Sequence, residues 1–475
     1  MHFKTIFKSL KNKDMLKRLG IIIGLLVVYR FLAHIPVPMG NPTTFREAVQ
    51  NLLESSDFGN FLNLISGGGL TAFSIILVGL SPYITASIVV QLLTKAIPSL
   101  EELSNDGETG RRKINQWTRI AAVPLAIIQS IAYIYILYQS VVGANTAVLP
   151  DLTTMDWIIS VSAMVCGSMV LMWIGELMTE QGIGNGISML IFASIISQFP
   201  STFASLTSAL FNTDAGSLSL FGWLNLPVNP TVFWIVLGFA VALLIVIYFL
   251  VKLNEAQRII TINYAKRVRG NSAYGGIKSI LPLKLIAAGV IPVIFATAFL
   301  SLPALIGQVI TSVNPDNSFG STLTTLFTAP SASNFSTQYP NGITAQWFVY
   351  PAIYFVLVIM FTYFYTTIIF NTNEIADNLQ KQGGFIEGIR PGVKTAEYLS
   401  KIINRLNFFG ALSLGLIAML PFITDYIFII LEGAPLGLSL SGTGLLIVVT
   451  VALENLRSLD SRALMVTYDD YGKEN

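Results

Sequence analysis

About ten apolar runs, most of them long enough to cross a membrane, constrain the fold of this chain more than any other feature. A hydrocarbon layer of about 30 Å needs about 20 apolar residues in one helix. Hydrophobic residues make up 53% of the 475 residues and charged residues 11%, against about 25% charged residues in a soluble domain. We therefore predict an all-α, multi-pass membrane protein. The predicted spans are residues 19–35, 71–96, 120–142, 157–178, 187–209, 230–252, 285–309, 346–370, 406–429 and 437–456.

The positions of the basic residues orient these spans. If the N-terminus is cytoplasmic, all of the 28 lysines and arginines except Arg30 and Arg46 lie in cytoplasmic segments or at adjoining helix ends. Because basic residues resist translocation, this pattern predicts that both termini are cytoplasmic and that the number of crossings is even. We expect a cytoplasmic N-terminal segment at residues 1–18 and a cytoplasmic tail at residues 457–475.

The predicted spans divide into two halves, residues 19–211 and residues 212–456. With about five helices each, the two halves run in opposite directions through the membrane, as in proteins built from inverted repeats. No repeat of individual residues accompanies this division. The predicted pseudo-symmetry therefore rests on the number of helices alone.

Three segments between the spans have distinct compositions. Residues 58–70 are apolar but too short to cross, and they end in Gly67, Gly68 and Gly69, which form either a hinge or a flexible helix start. The predicted cytoplasmic loops 253–284 and 371–405 are long and basic. Long ordered loops usually carry function or bind a partner.

Several classes of function lack the residues that they require. The single cysteine, Cys166, excludes an intrachain disulfide, and two histidines are too few for a zinc cluster. Glu176, Asp425 and Glu454 lie toward the ends of predicted spans, where an interfacial carboxylate is favoured over a proton carrier. We expect a protein that is not an enzyme and has no cofactor and no metal. A secondary transporter of small solutes is the alternative, although it ordinarily has charges or broken helices within the membrane.

Short motifs along nearly the whole chain indicate a family. They are GLSPYITASIVVQLL from Gly79, MWIG from Met172, GIGNGIS from Gly182, YRFLAHIPVP from Tyr29, ETGRRKINQWTR from Glu108, NYAKR from Asn263, LPLKLIAAGVIPVIFA from Leu281 and GIRPG from Gly388. In these motifs and in their order the chain resembles the SecY family, whose members are the central subunits of the bacterial protein translocase. Shared hydrophobicity alone does not produce such matches.

The resemblance implies a clamshell of two halves around an hourglass-shaped pore for unfolded polypeptides, in the bacterial cytoplasmic membrane. It implies a ring of aliphatic side chains at the constriction and a plug, residues 58–70, in the outer funnel. The implied ring residues are Leu80, Ile84, Ile187, Ile191, Ile291, Ile294 and Ile447, of which Ile447 rests on the shorter motif GTGLLIVV from Gly442. The plug and hinge residues are Phe58, Phe61, Leu62, Leu64, Ile65, Gly67, Gly68 and Gly69.

The resemblance also implies a lateral gate to lipid, between the second and third helices on one side and the seventh and eighth on the other. Polar candidates on those helices are Gln91, Gln129, Ser130 and Thr297. The basic loops match docking sites for partners, and the candidate residues are Arg258, Lys266, Arg267, Arg269, Arg390 and Lys394. Arg390 is the strongest candidate because Pro391 and Gly392 place its guanidinium on a stiff turn, ready to pair with carboxylate or phosphate.

The implied partners are SecE-like and SecG-like small membrane subunits, the SecA motor ATPase, the translating ribosome, signal sequences of preproteins and membrane lipid. Two positions depart from the family pattern. Where the family commonly has arginine after the sequence TE, this chain has Gln181, and the usual RRI before NYAKR contains Ile259 at its second position. We expect weaker electrostatic contact with partners at these two loops.

Overall fold

A computed structural model of the chain is mostly helical. It describes residues 13–38, 73–143, 153–211, 218–220, 224–226, 230–264, 267–269, 272–274, 278–286, 288–314, 317–328, 346–432 and 442–473. The helices are α1 (Lys13–Leu32), α2 (Ser81–Ala96), α3 (Pro98–Asn105), α4 (Gly107–Gly143), α5 (Thr154–Glu180), α6 (Gly186–Ile196), α7 (Phe199–Leu210), α8 (Pro230–Glu255), α9 (Ile291–Val313), α10 (Ser318–Phe327), α11 (Gln346–Ile369), α12 (Thr372–Lys381), α13 (Val393–Glu432) and α14 (Gly442–Lys473).

Several of these helices suit a membrane. Within the described residues, six helices are long and apolar enough to cross a membrane, judged by length and composition. The pair Ser81–Ala96 and Pro98–Ser104, bent by 107°, adds a seventh if it forms one span. These helices indicate a multi-pass membrane protein. The larger number of spans, the cytoplasmic termini and the inverted halves stay predictions.

The second predicted span, residues 71–96, begins later than its hydropathy suggested. Residues 73–80 form turns, and α2 starts at Ser81 with a proline in its first turn. Gly79 has a φ of 62°, a left-handed conformation that interrupts a helix and that glycine adopts without strain. The turn segment also pairs with the chain after α1, because the Val37 amide donates to the Phe73 carbonyl at 2.9 Å. This pairing satisfies backbone groups that a helix would otherwise satisfy internally.

The fifth predicted span, residues 187–209, consists of two helices. α6 ends at Ile196, and α7 begins at Phe199 with Pro200 in its first turn. Proline lacks the amide hydrogen that continues a helix, so it favours a new start at this position. The outer bounds of the span agree with the prediction to within one residue, but the break at residues 197–198 was not predicted, because uniform hydrophobicity conceals it.

Within the described ranges, three small β-sheets occur in segments for which no strand was predicted. The strands are β1 (Leu218–Leu220), β2 (Leu224–Leu226), β3 (Gln257–Tyr264), β4 (Arg267–Arg269), β5 (Ser272–Tyr274), β6 (Lys278–Lys284) and β7 (Gly384–Ile386). β1 pairs with β2 and β4 with β5, whereas β3 lies between β6 and β7 in an antiparallel sheet. The prediction of an all-α chain was therefore incomplete, since both long basic loops contribute strands to one sheet.

The chain divides into two compact units by its internal contacts. The first comprises Met1–Asp214, Thr297–Tyr350 and Asp425–Asn475, and the second comprises Ala215–Ala296 and Pro351–Thr424. In the first unit, a buried apolar cluster joins the turn segment 73–78 to residues of α4, α5 and α9. In the second unit, the inward face of the β6-β3-β7 sheet packs against Leu399 and Ile403 of α13.

Candidate functional site

Leu80 and Ile84, the first two candidate ring residues, lie at the start of α2. The Ile84 amide donates to the Leu80 carbonyl at 3.0 Å, so the two residues are one helical turn apart, and both are buried. The segment before them is held by α5, where the Ser168 hydroxyl donates to the Gly79 carbonyl at 2.9 Å. Gly167 permits this approach, because a Cβ there would collide with the Ile75 carbonyl.

Ile187 and Ile191 occupy consecutive turns of α6, directly after its first residue. Asn185 caps this helix, and its side-chain oxygen accepts a hydrogen bond from the Ile187 amide at 3.0 Å. The Ile187 side chain lies over Gly175 of α5, where an added Cβ would be 3.3 Å from Ile187 Cγ1. At Gly186 an added Cβ would collide with the Gly175 carbonyl. Gly175 and Gly186 therefore allow the start of α6 to pack closely against α5.

The remaining ring candidates lie on two other helices. Ile447 is on α14 in the first unit, one turn before the fully buried Val451. Ile291 and Ile294 are at the start of α9 in the second unit, where the Ile294 amide donates to the Val290 carbonyl at 3.2 Å. Leu80 directly precedes α2, the other six residues lie on α2, α6, α9 and α14, and all seven except Ile187 and Ile291 are buried.

The candidate gate residues are polar groups in or near buried positions. Gln129 and Ser130 on α4 are 2% and 0% exposed, and neither Gln129 Oε1 nor Ser130 Oγ has a hydrogen-bond partner within the described part of the chain. Gln91 on α2 donates to Ser87 at 2.9 Å, while its Oε1 is likewise unpaired among the described residues. Thr297 on α9 is half-buried. α2 packs against α4, so Gln91, Gln129 and Ser130 belong to neighbouring helices of the first unit.

Two of the docking candidates lie exposed on structured loops. Arg258 is on β3, and Arg390 is in the turn between β7 and α13. Gly388 and Gly392 flank Arg390 with φ angles of 80° and 93°, and the Thr395 hydroxyl donates to the Arg390 carbonyl at 3.0 Å. The backbone at Arg390 is thereby held while its side chain faces outward.

The other docking candidates are less available or less defined. Lys394 forms an exposed ion pair with Glu397 at 2.8 Å, a kind of contact that contributes little to stability. Arg267 and Arg269 lie on β4, of which only the backbone is described, and Lys266 lies outside the described residues.

Comparison with known proteins identifies the family. The SecY family model matches residues 74–456. The chain belongs to the SecY family. The SecY translocase subunit of Streptomyces scabiei is 36% identical over 474 residues, which are 98% of each chain. That of Corynebacterium glutamicum is 37% identical over 473 residues, covering 98% of this chain and 99% of the relative.

Solved structures share the fold. One, described as a protein conducting channel, has a TM-score of 0.58 at 18% identity and covers 93% of this chain and 92% of its own. The canine Sec61 channel in its ribosome complex has a TM-score of 0.58 at 17% identity, with the same coverage. The family predicted from the motifs is thus confirmed, and the individual ring, gate and docking residues stay predictions of the SecY resemblance.

The predicted plug and hinge lie outside the described residues. These are Phe58, Phe61, Leu62, Leu64, Ile65, Gly67, Gly68 and Gly69. The structure does describe positions before and after this part of the chain. There the Ile75 amide donates to the Ile35 carbonyl at 3.0 Å, beside the isolated bridge between Pro36 and Ser74.

Sequence reasoning missed three contacts of charged residues in the first unit. Arg119 of α4 forms an ion pair with Glu176 of α5 at 2.7 Å, so this carboxylate is paired. Arg18 of α1 and Arg462 of α14 donate to backbone carbonyls in the connection between α5 and α6. No local signal indicates these contacts, because the partners are far apart in sequence. Among the described residues, no group of three or more metal-binding side chains occurs.

Proposed function

We propose that this chain is the channel-forming subunit of a protein translocase in the bacterial cytoplasmic membrane. It conducts unfolded secretory polypeptides across the membrane and releases transmembrane segments sideways through a lateral gate. The observation that carries this proposal is the similarity to translocase subunits named SecY over 98% of the chain. The chain has about ten spans in two inverted halves. Because this number is even, both termini lie on the same side of the membrane, in the cytoplasm.

The chemistry of the ring candidates suits this function. A pore that passes side chains of every kind must bind none of them tightly, whereas a narrow dry constriction blocks ions by dewetting. Isoleucine and leucine form no side-chain hydrogen bonds and deform readily around a passing chain. We assign the constriction to Leu80, Ile84, Ile187, Ile191, Ile291, Ile294 and Ile447.

The gate candidates support lateral release. Buried polar atoms without partners are costly, at about 1–3 kcal/mol each. Gln91, Gln129 and Ser130 carry such atoms among the described residues. A signal sequence or water that enters between helices supplies the missing partners, so these residues favour an occupied gate. The plug, residues 58–70, closes the outer funnel in the resting channel.

The docking candidates indicate which partners bind on the cytoplasmic side. Arg390 on its held turn, with Arg258, Lys266, Arg267, Arg269 and Lys394, binds the SecA motor or the translating ribosome on the cytoplasmic side. Both partners present carboxylate or phosphate groups that guanidinium binds in a bidentate manner. SecE-like and SecG-like subunits complete the complex within the membrane.

Reconstitution tests the proposal. The chain is placed in liposomes with its SecE-like subunit, and SecA, ATP and a radiolabelled preprotein are added outside. We expect the preprotein to become protected from protease only when ATP is present. A liposome lacking this chain is the control. Uptake of a small solute without import of preprotein would contradict the proposal and favour the secondary transporter.

A further inference from the structure

The connection between α5 and α6, residues 181–185, contains no basic residue of its own. Gly182 and Gly184 have φ angles of 70° and 138°, so the chain turns sharply between the two helices. The Gly186 amide donates to the Thr179 hydroxyl at 2.9 Å, which closes the turn from inside. The carbonyls of Gln181 and Gly182 belong to the C-terminal end of α5, where the helix dipole favours cations.

Two arginines from distant helices bind these carbonyls. Arg18 Nη1 of α1 donates to the Gln181 carbonyl at 2.9 Å, and Arg462 Nε of α14 donates to the Gly182 carbonyl at 3.1 Å. Both arginine side chains are half-buried. A Cβ at Gly182 would collide with the Arg462 guanidinium, so only glycine admits this approach.

A second residue of α14 lies against the same connection. The side-chain oxygen of Asn455 lies so close to Gly184 that a Cβ there would collide with it. At about 100° per residue, Ile447, Val451, Asn455 and Arg462 fall within about 80° of arc on one face of α14. The face of α14 that carries the ring candidate Ile447 therefore also carries Asn455 and Arg462, which contact the α5–α6 connection.

The connection determines where α6 begins, and α6 begins with ring candidates. Asn185 is the last residue of the connection and caps α6, and Ile187 follows two residues later. The Ile187 side chain packs over Gly175 of α5, and Ile191 lies one turn farther along α6.

We propose that Arg462, assisted by Arg18, is a positioning residue of the channel, which holds the α5–α6 connection and thereby sets the places of Ile187 and Ile191. The inference rests on the proposed function, since the role of these isoleucines in the constriction is itself proposed. A guanidinium suits the task because its charge persists at every physiological pH and its planar fork donates in fixed directions.

The test uses the full chain purified with its small membrane subunits in lipid nanodiscs. Hydrogen exchange of the peptides covering residues 181–190, followed by mass spectrometry, measures how firmly the α5–α6 connection is held in place. We expect Arg462→Gln to speed this exchange about ten-fold, and Arg462→Lys to show a smaller increase because lysine restores a cationic donor. Lys113→Gln, which removes an exposed charge from α4, is the matched control and leaves the exchange unchanged.

The same variants, at matched abundance in planar bilayers, report on the channel. We expect Arg462→Gln to raise the resting ion conductance about ten-fold, with partial rescue in Arg462→Lys. A residue that only stabilises the fold would lower abundance without changing the conductance of each channel. If Arg462→Gln does not accumulate, Arg462→Lys and Arg18→Gln replace it, and unchanged exchange in both would overturn the inference.

The outcomes separate this inference from the function on which it rests. Unchanged hydrogen exchange in Arg462→Gln overturns the inference, whether or not the ring residues form the constriction. Faster exchange with unchanged conductance also overturns it when Ile294→Asn leaks in the same bilayers. If Ile294→Asn does not leak, the assignment of Ile294 to the constriction has failed, and the exchange result alone then decides whether Arg462 holds the connection.

Discussion

Replacing Ile294 by asparagine separates a ring residue from a residue that packs between helices. Ile294 is 8% exposed near the start of α9, and the neighbouring Val293 is 0% exposed. Lipid is as apolar as the side chain that is removed, so in a packed position the main cost is the unpaired amide. That cost is about 1–3 kcal/mol, enough to lower abundance several-fold.

At the constriction the same amide has a different effect. It holds water in a gap that isoleucine keeps dry, so wetting becomes easier while the fold is preserved. A shift of about 1.4 kcal/mol toward the open state raises its population about ten-fold. We therefore expect Ile294→Asn, like Ile447→Asn, to accumulate normally, to leak ions and to export preproteins that have defective signal sequences.

The assay compares three quantities between the variants and the wild type. They are abundance in the membrane, single-channel conductance in planar bilayers and export of a signal-defective reporter. Val293→Asn is the matched control at the adjacent, fully buried position, and we expect it to lose abundance without gaining conductance. Low abundance of Ile294→Asn with no gain in conductance or export would refute the assignment of Ile294 to the constriction.

Three further predictions follow from the cytoplasmic turn, the plug and the helix packing. Arg390→Glu should lower SecA-dependent preprotein import about ten-fold at matched channel abundance, because the reversed charge turns attraction into repulsion. Lys401→Glu on nearby α13 is the control and should import normally. Near wild-type import by Arg390→Glu would contradict the docking assignment. Deletion of residues 58–66 should raise the resting ion leak in planar bilayers without abolishing import, and an unchanged closed-state conductance would contradict the plug. Gly167→Ala should destabilise the purified protein by about 1–3 kcal/mol in thermal unfolding because the new Cβ collides with the backbone before α2. Gly24→Ala is the control and should not destabilise it, since Gly24 has open space around it. Equal stability of the two variants would contradict the packing of α5 against residues 75–76.

Much of this protein was predictable from short stretches of sequence. Hydropathy over about 20 residues is a local property, so it predicted a multi-pass membrane protein before any contact was known. The motif from Gly79 to Leu93 and the motif from Gly182 to Ser188 indicated the SecY family, and the family comparison confirms it. Ring candidates such as Leu80 and Ile84 were named because they lie inside such motifs.

The boundaries within apolar segments were less predictable. Residues 73–80 are as apolar as a span, yet they form turns, because Phe73 and Ile75 hydrogen-bond with Val37 and Ile35 and because Gly79 adopts a left-handed conformation. Strand β7 was missed for a related reason. It pairs with β3, and Ile262 lies opposite Ile386, so β7 exists only once a distant segment supplies its hydrogen-bond partners.

The sequence by itself determined the membrane class and the family and predicted which side is cytoplasmic, because each depends on the composition or identity of neighbouring residues. Only the tertiary structure decided which charged groups meet. Arg18 is 163 residues from Gln181, and Arg462 is 280 residues from Gly182. Gln181 suggested a connection without a cation, yet two guanidiniums reach its carbonyls from other helices. A hydrogen bond depends on distances of about 3 Å, and packing of remote helices, rather than spacing along the chain, brings these groups that close.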